Sequence, residues 1–60
     1  MTEQRFTIGS LVVLNSGGPL MTVEGFEPEG YRCAWFTGAR LRRSVFGEAV
    51  LQAPALLDLL

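Results

Sequence analysis

The residues of this chain that could do chemistry are few. Glu24, Glu27 and Glu29 surround one turn, where a carboxylate pair could act as general acid and base. The single thiol, Cys33, lies in mid-strand between Tyr31 and Trp35, and the 60-residue chain has no histidine to activate it and no lysine to form a Schiff base. Cys33 is therefore interpreted as a core residue, and the glutamates as solvated side chains at a hairpin end. We expect no enzyme activity and assign no catalytic residue.

Metal and cofactor sites are not expected either. One cysteine without histidine provides no zinc ligand set. Ser16-Gly17-Gly18 lacks the Gly-Lys-Ser/Thr ending of a phosphate-binding loop, so the pattern favours a hairpin turn over a backbone nest that binds an anion. We therefore expect no metal, no cofactor and no small-molecule substrate.

Arginines and aromatic residues between positions 31 and 43 indicate a binding surface. Four of the five arginines and three of the six aromatic residues lie there. Such side chains are enriched in protein interfaces, and they also stack on bases and pair with phosphates. The residues predicted to bind a partner are Arg32, Phe36, Arg40 and Arg42, with Arg43 as a nearby charge. The structural alternative is that these arginines pair with glutamates of neighbouring strands, namely Glu24, Glu27, Glu29 and Glu48.

Glycine and proline divide the chain into strand-length runs rich in β-branched and aromatic residues. We predict strands over residues 10–15, 20–26, 31–37 and 41–46. Short strands joined by tight turns form an antiparallel meander, and closing it into a small barrel removes the exposed edges. The sequence therefore predicts an all-β fold. Pro28 and Gly30 suit the second and fourth positions of a turn that Glu27 opens.

The alternation of apolar residues predicts which side chains face the core. In the first strand Val12 and Leu14 point inward, while Leu11 and Val13 lie on the outer face, either covered by another segment or exposed at an interface. In the second strand Met21 and Val23 point inward.

The loop at Gly38-Ala39 decides the register of the last hairpin. A three-residue loop places one apolar set on a common face, comprising Tyr31, Cys33, Trp35, Leu41 and Val45. The opposite face then carries Arg32, Phe36, Arg40 and Arg42. A two-residue loop moves every partner to the other side. The three-residue loop is preferred because it gathers the apolar residues.

The end of the chain predicts a short leucine-rich helix over residues 52–60, since Pro54 suits a first helical turn. So short a helix needs a docking surface. That surface is either the open end of its own barrel or a second copy or another protein, which Leu56, Leu57 and Leu60 would contact.

Composition indicates one small globular domain over residues 1–60, with 48% hydrophobic and 18% charged residues. The net charge of −1 argues against binding nucleic acid through bulk charge. No secretory signal and no membrane-spanning run is visible, so we expect a cytoplasmic protein that does not contact a membrane.

The motifs Ser16-Gly17-Gly18-Pro19-Leu20-Met21-Thr22-Val23, Cys33-Ala34-Trp35-Phe36 and Leu41-Arg42-Arg43-Ser44-Val45-Phe46 resemble those of the YodC-like small bacterial proteins. The resemblance covers residues 6–51, with Ser10 where the family usually has Asp and with a leucine-rich tail after Gln52. It implies a compact SH3-like antiparallel β-barrel over residues 6–51 and a bacterial source. Small genes of this kind also occur in prophages and mobile elements.

These features lead to three hypotheses. The first is a non-catalytic adaptor that recognises a protein partner, such as a phage or mobile-element accessory protein that inhibits a host or defence complex. The second is a single-stranded nucleic-acid or ribosome-associated protein that uses the Arg/aromatic face. The third is a structural subunit that forms a homo-oligomer through its terminal leucines.

Overall fold

Antiparallel strands form the regular structure of residues 5–55, the part of the chain that the computed structural model describes. The strands are β1 (Leu11–Leu14), β2 (Met21–Glu27), β3 (Gly30–Thr37), β4 (Arg40–Phe46) and β5 (Leu51–Gln52). They form one sheet in the order β4-β3-β2-β1-β5. The four predicted strands are confirmed to within one residue at each end, and so is the all-β class. The two-residue strand β5 was not predicted.

The turn between β2 and β3 has the predicted chemistry. Glu27 pairs with Gly30, so Pro28 and Glu29 form a two-residue connection. Gly30 has φ +153°, and a Cβ atom there would lie 2.1 Å from the backbone oxygen of Phe46. Glycine is therefore required where the end of β4 passes close to the start of β3.

The turn between β3 and β4 differs from the preferred prediction. Thr37 pairs with Arg40, which leaves Gly38 and Ala39 as a two-residue loop. Gly38 has φ +61°, while Ala39 does not have a positive φ. A glycine with positive φ at the first central position is typical of a type II′ turn, whose twist matches that of the flanking strands. The three-residue register is therefore wrong.

A 3-10 turn over Glu48–Val50 carries the chain from β4 to β5. Asn15 holds this turn against the end of β1, because its backbone N–H donates to Val50 O at 2.8 Å and its Nδ2 donates to Ala49 O at 2.8 Å. Leu51 then pairs with Leu14, which brings the last strand back to the first.

The core lies on one face of the sheet. Its buried members are Phe6, Val12, Met21, Val23, Tyr31, Cys33 and Leu51. Leu14, Trp35 and Phe46 are partly buried against it. The inward predictions for Val12, Met21, Val23 and Cys33 are confirmed, and Leu14 packs against the cluster. Val13 is only 5% exposed, so of the two alternatives for this outer-face residue the covered one holds.

Two further expectations concern closure and the end of the chain. Among residues 5–55 the sheet is not closed into a barrel, and β4 and β5 are its edges. Of the predicted helix over 52–60, Gln52 belongs to β5 and residues 53–55 are not helical. Its remainder, with Leu56, Leu57 and Leu60, lies outside the described residues.

No helix within residues 5–55 has the length and apolar character needed to cross a membrane.

Candidate functional site

A β-bulge in β2 brings Glu24 beside one arginine of β3 and one of β4. Val23 pairs with Cys33, but the next pair is Gly25 with Arg32, so Glu24 is the extra residue. Gly25 is buried, and a Cβ atom added to it would lie 2.6 Å from Nη2 of Arg32. The bulge and the missing side chain together leave space over Gly25, and the Arg32 guanidinium occupies that space. It lies on the outer face, the side of the sheet opposite the core.

Glu24 and Glu27 neutralise this guanidinium. Arg32 Nε donates to Glu24 Oε1 at 3.2 Å, and its Nη1 donates to Glu27 Oε2. Glu24 Oε1 also accepts a hydrogen bond from Arg43 Nε at 2.9 Å. For Arg32 and Arg43, the structural alternative of pairing with glutamates is confirmed. The groups are partly exposed, so each pair stabilises the fold by only about 0–1 kcal/mol.

Arg40 and Arg42 lie on the other side of the sheet. Residues paired across two strands share a face, and these arginines pair with Thr37 and Trp35. Neither guanidinium has an ion-pair or hydrogen-bond partner among residues 5–55. The predicted single arginine surface is therefore wrong in its geometry, because the two-residue turn separates Arg40 and Arg42 from Arg32 and Phe36.

The outer face of the β3–β4 hairpin instead carries an exposed apolar strip. Phe36 and Leu41 form a cross-strand pair and are 68% and 45% exposed. Val45, 38% exposed, lies on the same face two pairs further along, and Leu11 of β1 is exposed on this side as well. Leu41 and Val45 were predicted to face the core, and the register places them outside instead.

The glutamates at the β2–β3 turn line a shallow cleft of about 260 Å³. Its lining residues are Phe26, Glu27, Pro28, Glu29, Gly30, Tyr31 and Glu48. Tyr31 is already engaged, since its hydroxyl oxygen accepts a hydrogen bond from the backbone N–H of Arg5 at 2.9 Å. Within the described part of the chain, no group of three or more histidine, cysteine or acidic side chains is arranged to hold a metal ion.

Cys33 lies in the core, as predicted. Its side chain is fully buried, and its Sγ donates a long hydrogen bond of 3.8 Å to the carbonyl oxygen of Tyr31. Burial raises the pKa of the thiol above its ordinary value, and the nearby charge of Glu24 raises it further. The thiol therefore stays protonated and unreactive at neutral pH.

Comparison with known families identifies one family that covers most of the chain. The family described as "Uncharacterized small protein (DUF2158)" matches residues 7–51, and the chain belongs to this family. The match includes β1 to β4 and ends at the first residue of β5. No curated protein and no solved structure matches the chain.

Proposed function

We propose that this member of the DUF2158 family is a non-catalytic protein-binding module whose contact surface is the β3–β4 hairpin. The observation that carries the proposal is the exposed cross-strand pair of Phe36 and Leu41. Arg40 and Arg42 lie on the same hairpin and have no side-chain partner among residues 5–55. Aromatic side chains and arginines are both enriched in protein interfaces, and this hairpin presents one or the other on each of its faces.

The distribution of charge favours a protein over a nucleic acid as the partner. The net charge is −1, and Glu24 and Glu27 neutralise Arg32 and Arg43. Arg40 and Arg42 lie on the side of the half-buried Trp35, and two arginines do not form the extended basic patch that is typical of nucleic-acid binding. Single-stranded nucleic-acid binding remains the competing outcome that the experiment distinguishes.

The proposed contact residues are Phe36, Leu41 and Val45 on the outer face and Arg40 and Arg42 on the other. Arg32 and Arg43 belong to the site as flanking charges, because Glu24 and Glu27 hold them beside the apolar strip. These ion pairs border the apolar strip and leave its surroundings without net charge.

The finer assignments of fold and setting are also proposals. We infer an SH3-like fold with an incompletely closed barrel, supported by the meander β1–β4 and by the return of β5 to β1. The YodC-like resemblance supports a cytoplasmic bacterial accessory protein, such as a mobile-element product that inhibits a host or defence complex. Oligomer formation through Leu56, Leu57 and Leu60 stays a prediction.

Capture of partners from a lysate of the source organism tests this function. The full chain with an N-terminal tag is compared with Phe36→Ser and Leu41→Ser, each preparation with and without nuclease. Ile8→Ser is the matched control, because Ile8 is 62% exposed and belongs to neither β3 nor β4. We expect a protein that survives nuclease and is retained by the control but lost from both hairpin variants.

Two results would contradict the proposal. Equal capture by the wild type and both hairpin variants would place the binding surface elsewhere. Recovery of ribosomal or nucleoid proteins only without nuclease would favour nucleic-acid binding. Because all three substituted side chains are exposed, each variant is expected to lose no more than about 1 kcal/mol in urea unfolding and to stay folded.

A further inference from the structure

We propose that the open edge of β4 binds an extended peptide segment by antiparallel strand addition, and that this segment alternates acidic and apolar residues. The inference rests on the proposed function, and it names the docking mode and the chemical class of the partner segment. Three observations support it: the position of β4 at the edge of the sheet, the backbone groups of β4 that point away from β3, and the charges on its two faces.

The edge of β4 is available over a long stretch. β4 pairs only with β3 in the described sheet, and it spans seven residues, whereas the opposite edge strand β5 spans two. Every residue of β4 before Phe46 is exposed. A strand with one row of unpaired backbone groups is a template for a further strand, as in β-augmentation.

The register identifies the backbone groups that face outward. The pair that closes a two-residue turn is hydrogen-bonded, and hydrogen-bonded and non-bonded pairs then alternate along the ladder. Thr37 and Arg40 form the closing pair. The backbone groups of Leu41, Arg43 and Val45 therefore point away from β3, and an added strand takes its hydrogen bonds from these three residues.

The side chains of β4 define what the added strand must carry. Arg40 and Arg42 share one face and lack a partner among residues 5–55, so the guest residues opposite them are acidic. Leu41 and Val45 share the other face, so the guest residues between the acidic ones are apolar. Arg43 also lies on that second face, but Glu24 already pairs with it.

The same arginines disfavour pairing with a second copy of β4. An antiparallel pair centred on Leu41 sets Arg40 opposite Arg42, and one centred on Arg42 or Arg43 sets that arginine opposite itself. Like charges directly opposite each other destabilise a pair of strands, and charged edges are a known device against self-association. A strand with acidic residues opposite Arg40 and Arg42 is attracted instead of repelled, so β4 favours an acidic segment over a second copy of itself.

A peptide titration followed by NMR tests strand addition. The probe is a seven-residue peptide that alternates valine and glutamate, added to the ¹⁵N-labelled full-length chain, and its control carries glutamine in place of glutamate. We expect the amides of Leu41, Arg43 and Val45 to become protected from hydrogen exchange. The glutamine peptide should bind more weakly, by a factor on the order of ten.

A charge exchange makes the test specific to β4. Arg42→Glu should weaken binding of the glutamate peptide and strengthen binding of a peptide that alternates valine and lysine. Its control is the double substitution Ser16→Glu with Gln52→Glu, which changes the net charge equally at exposed positions away from the hairpin. Strand addition is overturned if the glutamate peptide does not bind at millimolar concentration, if it leaves all three edge amides unprotected, or if Arg42→Glu does not affect it.

Failure of this inference can be told apart from failure of the proposed function. If strand addition is overturned while Phe36→Ser and Leu41→Ser still lose the captured protein, the hairpin binds its partner through the outer face alone. If those variants capture the protein normally, the proposed function is itself wrong, whatever the peptide does.

Discussion

Glu24 is the residue that most alters the charge of the candidate surface. Its Oε1 atom accepts hydrogen bonds from both Arg32 and Arg43. Together with Glu27, which also pairs with Arg32, it neutralises two of the four arginines in the hairpin. Among residues 5–55, Arg40 and Arg42 are the arginines that stay available to a partner.

Gly30 is predicted to be irreplaceable by residues with a side chain. Gly30→Ala should lower the free energy of unfolding by about 2–3 kcal/mol, because a Cβ atom would clash with the backbone of Phe46 and the φ of +153° is unfavourable for alanine. Gly47→Ala is the matched control, since Gly47 has φ −66° and its nearest neighbour would be 3.9 Å away. Equal urea midpoints for the two variants would contradict this account of the close approach.

Cys33 gives the fold a pH dependence on the alkaline side. Burial raises the thiol pKa in the folded state, so above the ordinary thiol pKa the unfolded chain loses a proton that the folded chain keeps. The contribution of the protonated thiol to the free energy of unfolding is complete below about pH 8.5. It is lost as pH rises toward the raised pKa of the folded state. Urea unfolding at about pH 7 and 9.5 should show a smaller alkaline loss for Cys33→Ala than for the wild type. An equal loss in both proteins would show that the thiol does not contribute.

The strand boundaries were predicted correctly, whereas the register of the last hairpin was predicted wrongly. The boundaries of β1 to β4 follow from glycine, proline and β-branched residues. The register was assigned by gathering apolar residues on one face, and this rule fails for β4 because the edge strand extends beyond the core. Leu41 and Val45 therefore lie on the outer face. The glycine at position 38 was the signal for a two-residue type II′ turn.

The strand β5 and the core residue Phe6 could not be predicted from local patterns. β5 contains only Leu51 and Gln52, and it is a strand because Leu51 pairs with Leu14 across the sheet. Phe6 belongs to no strand and packs edge-on against Tyr31, with ring centroids 5.4 Å apart. Both placements depend on long-range contacts. The sequence accordingly identified Phe36, Arg40 and Arg42 as hairpin residues but not how they divide between the faces.

The bulge in β2 makes a prediction about coupling between two strands. Gly25→Ala should lower the stability by about 1 kcal/mol or less, because the new methyl group displaces the partly exposed Arg32 guanidinium from Glu24 and Glu27. The cost should disappear in an Arg32→Ala background, where nothing is displaced. Urea denaturation of the wild type, the two single variants and the double variant measures the coupling between Gly25 and Arg32. An identical cost of Gly25→Ala in both backgrounds would contradict the proposal that the Arg32 guanidinium needs the space over Gly25.

A thin core limits the stability of the molecule and leaves much of the β3–β4 hairpin in solvent. For 60 residues, the expected free energy of unfolding is only about 3–9 kcal/mol. A partner that binds the folded state adds to this value by mass action. A raised melting temperature in the presence of the partner is therefore expected.

The small number of available arginines predicts a weak dependence of partner binding on salt. Two phosphate contacts, through Arg40 and Arg42, would cost only roughly tenfold in affinity between about 50 and 200 mM salt, whereas six or more contacts cost a factor of about 10³ or more. A protein partner is expected to lose no more than roughly tenfold. Affinity of the captured partner measured across this range tests the point. A loss of about a thousandfold would instead support nucleic-acid binding.

Hydrogen exchange of the full chain, alone and with the captured partner, tests whether the β3–β4 hairpin is the contact surface. If it is, new protection is concentrated in residues 36–46, with little change around the Pro28-Glu29 turn. Protection concentrated at that turn, or in residues 5–10, with the hairpin unchanged, would contradict it.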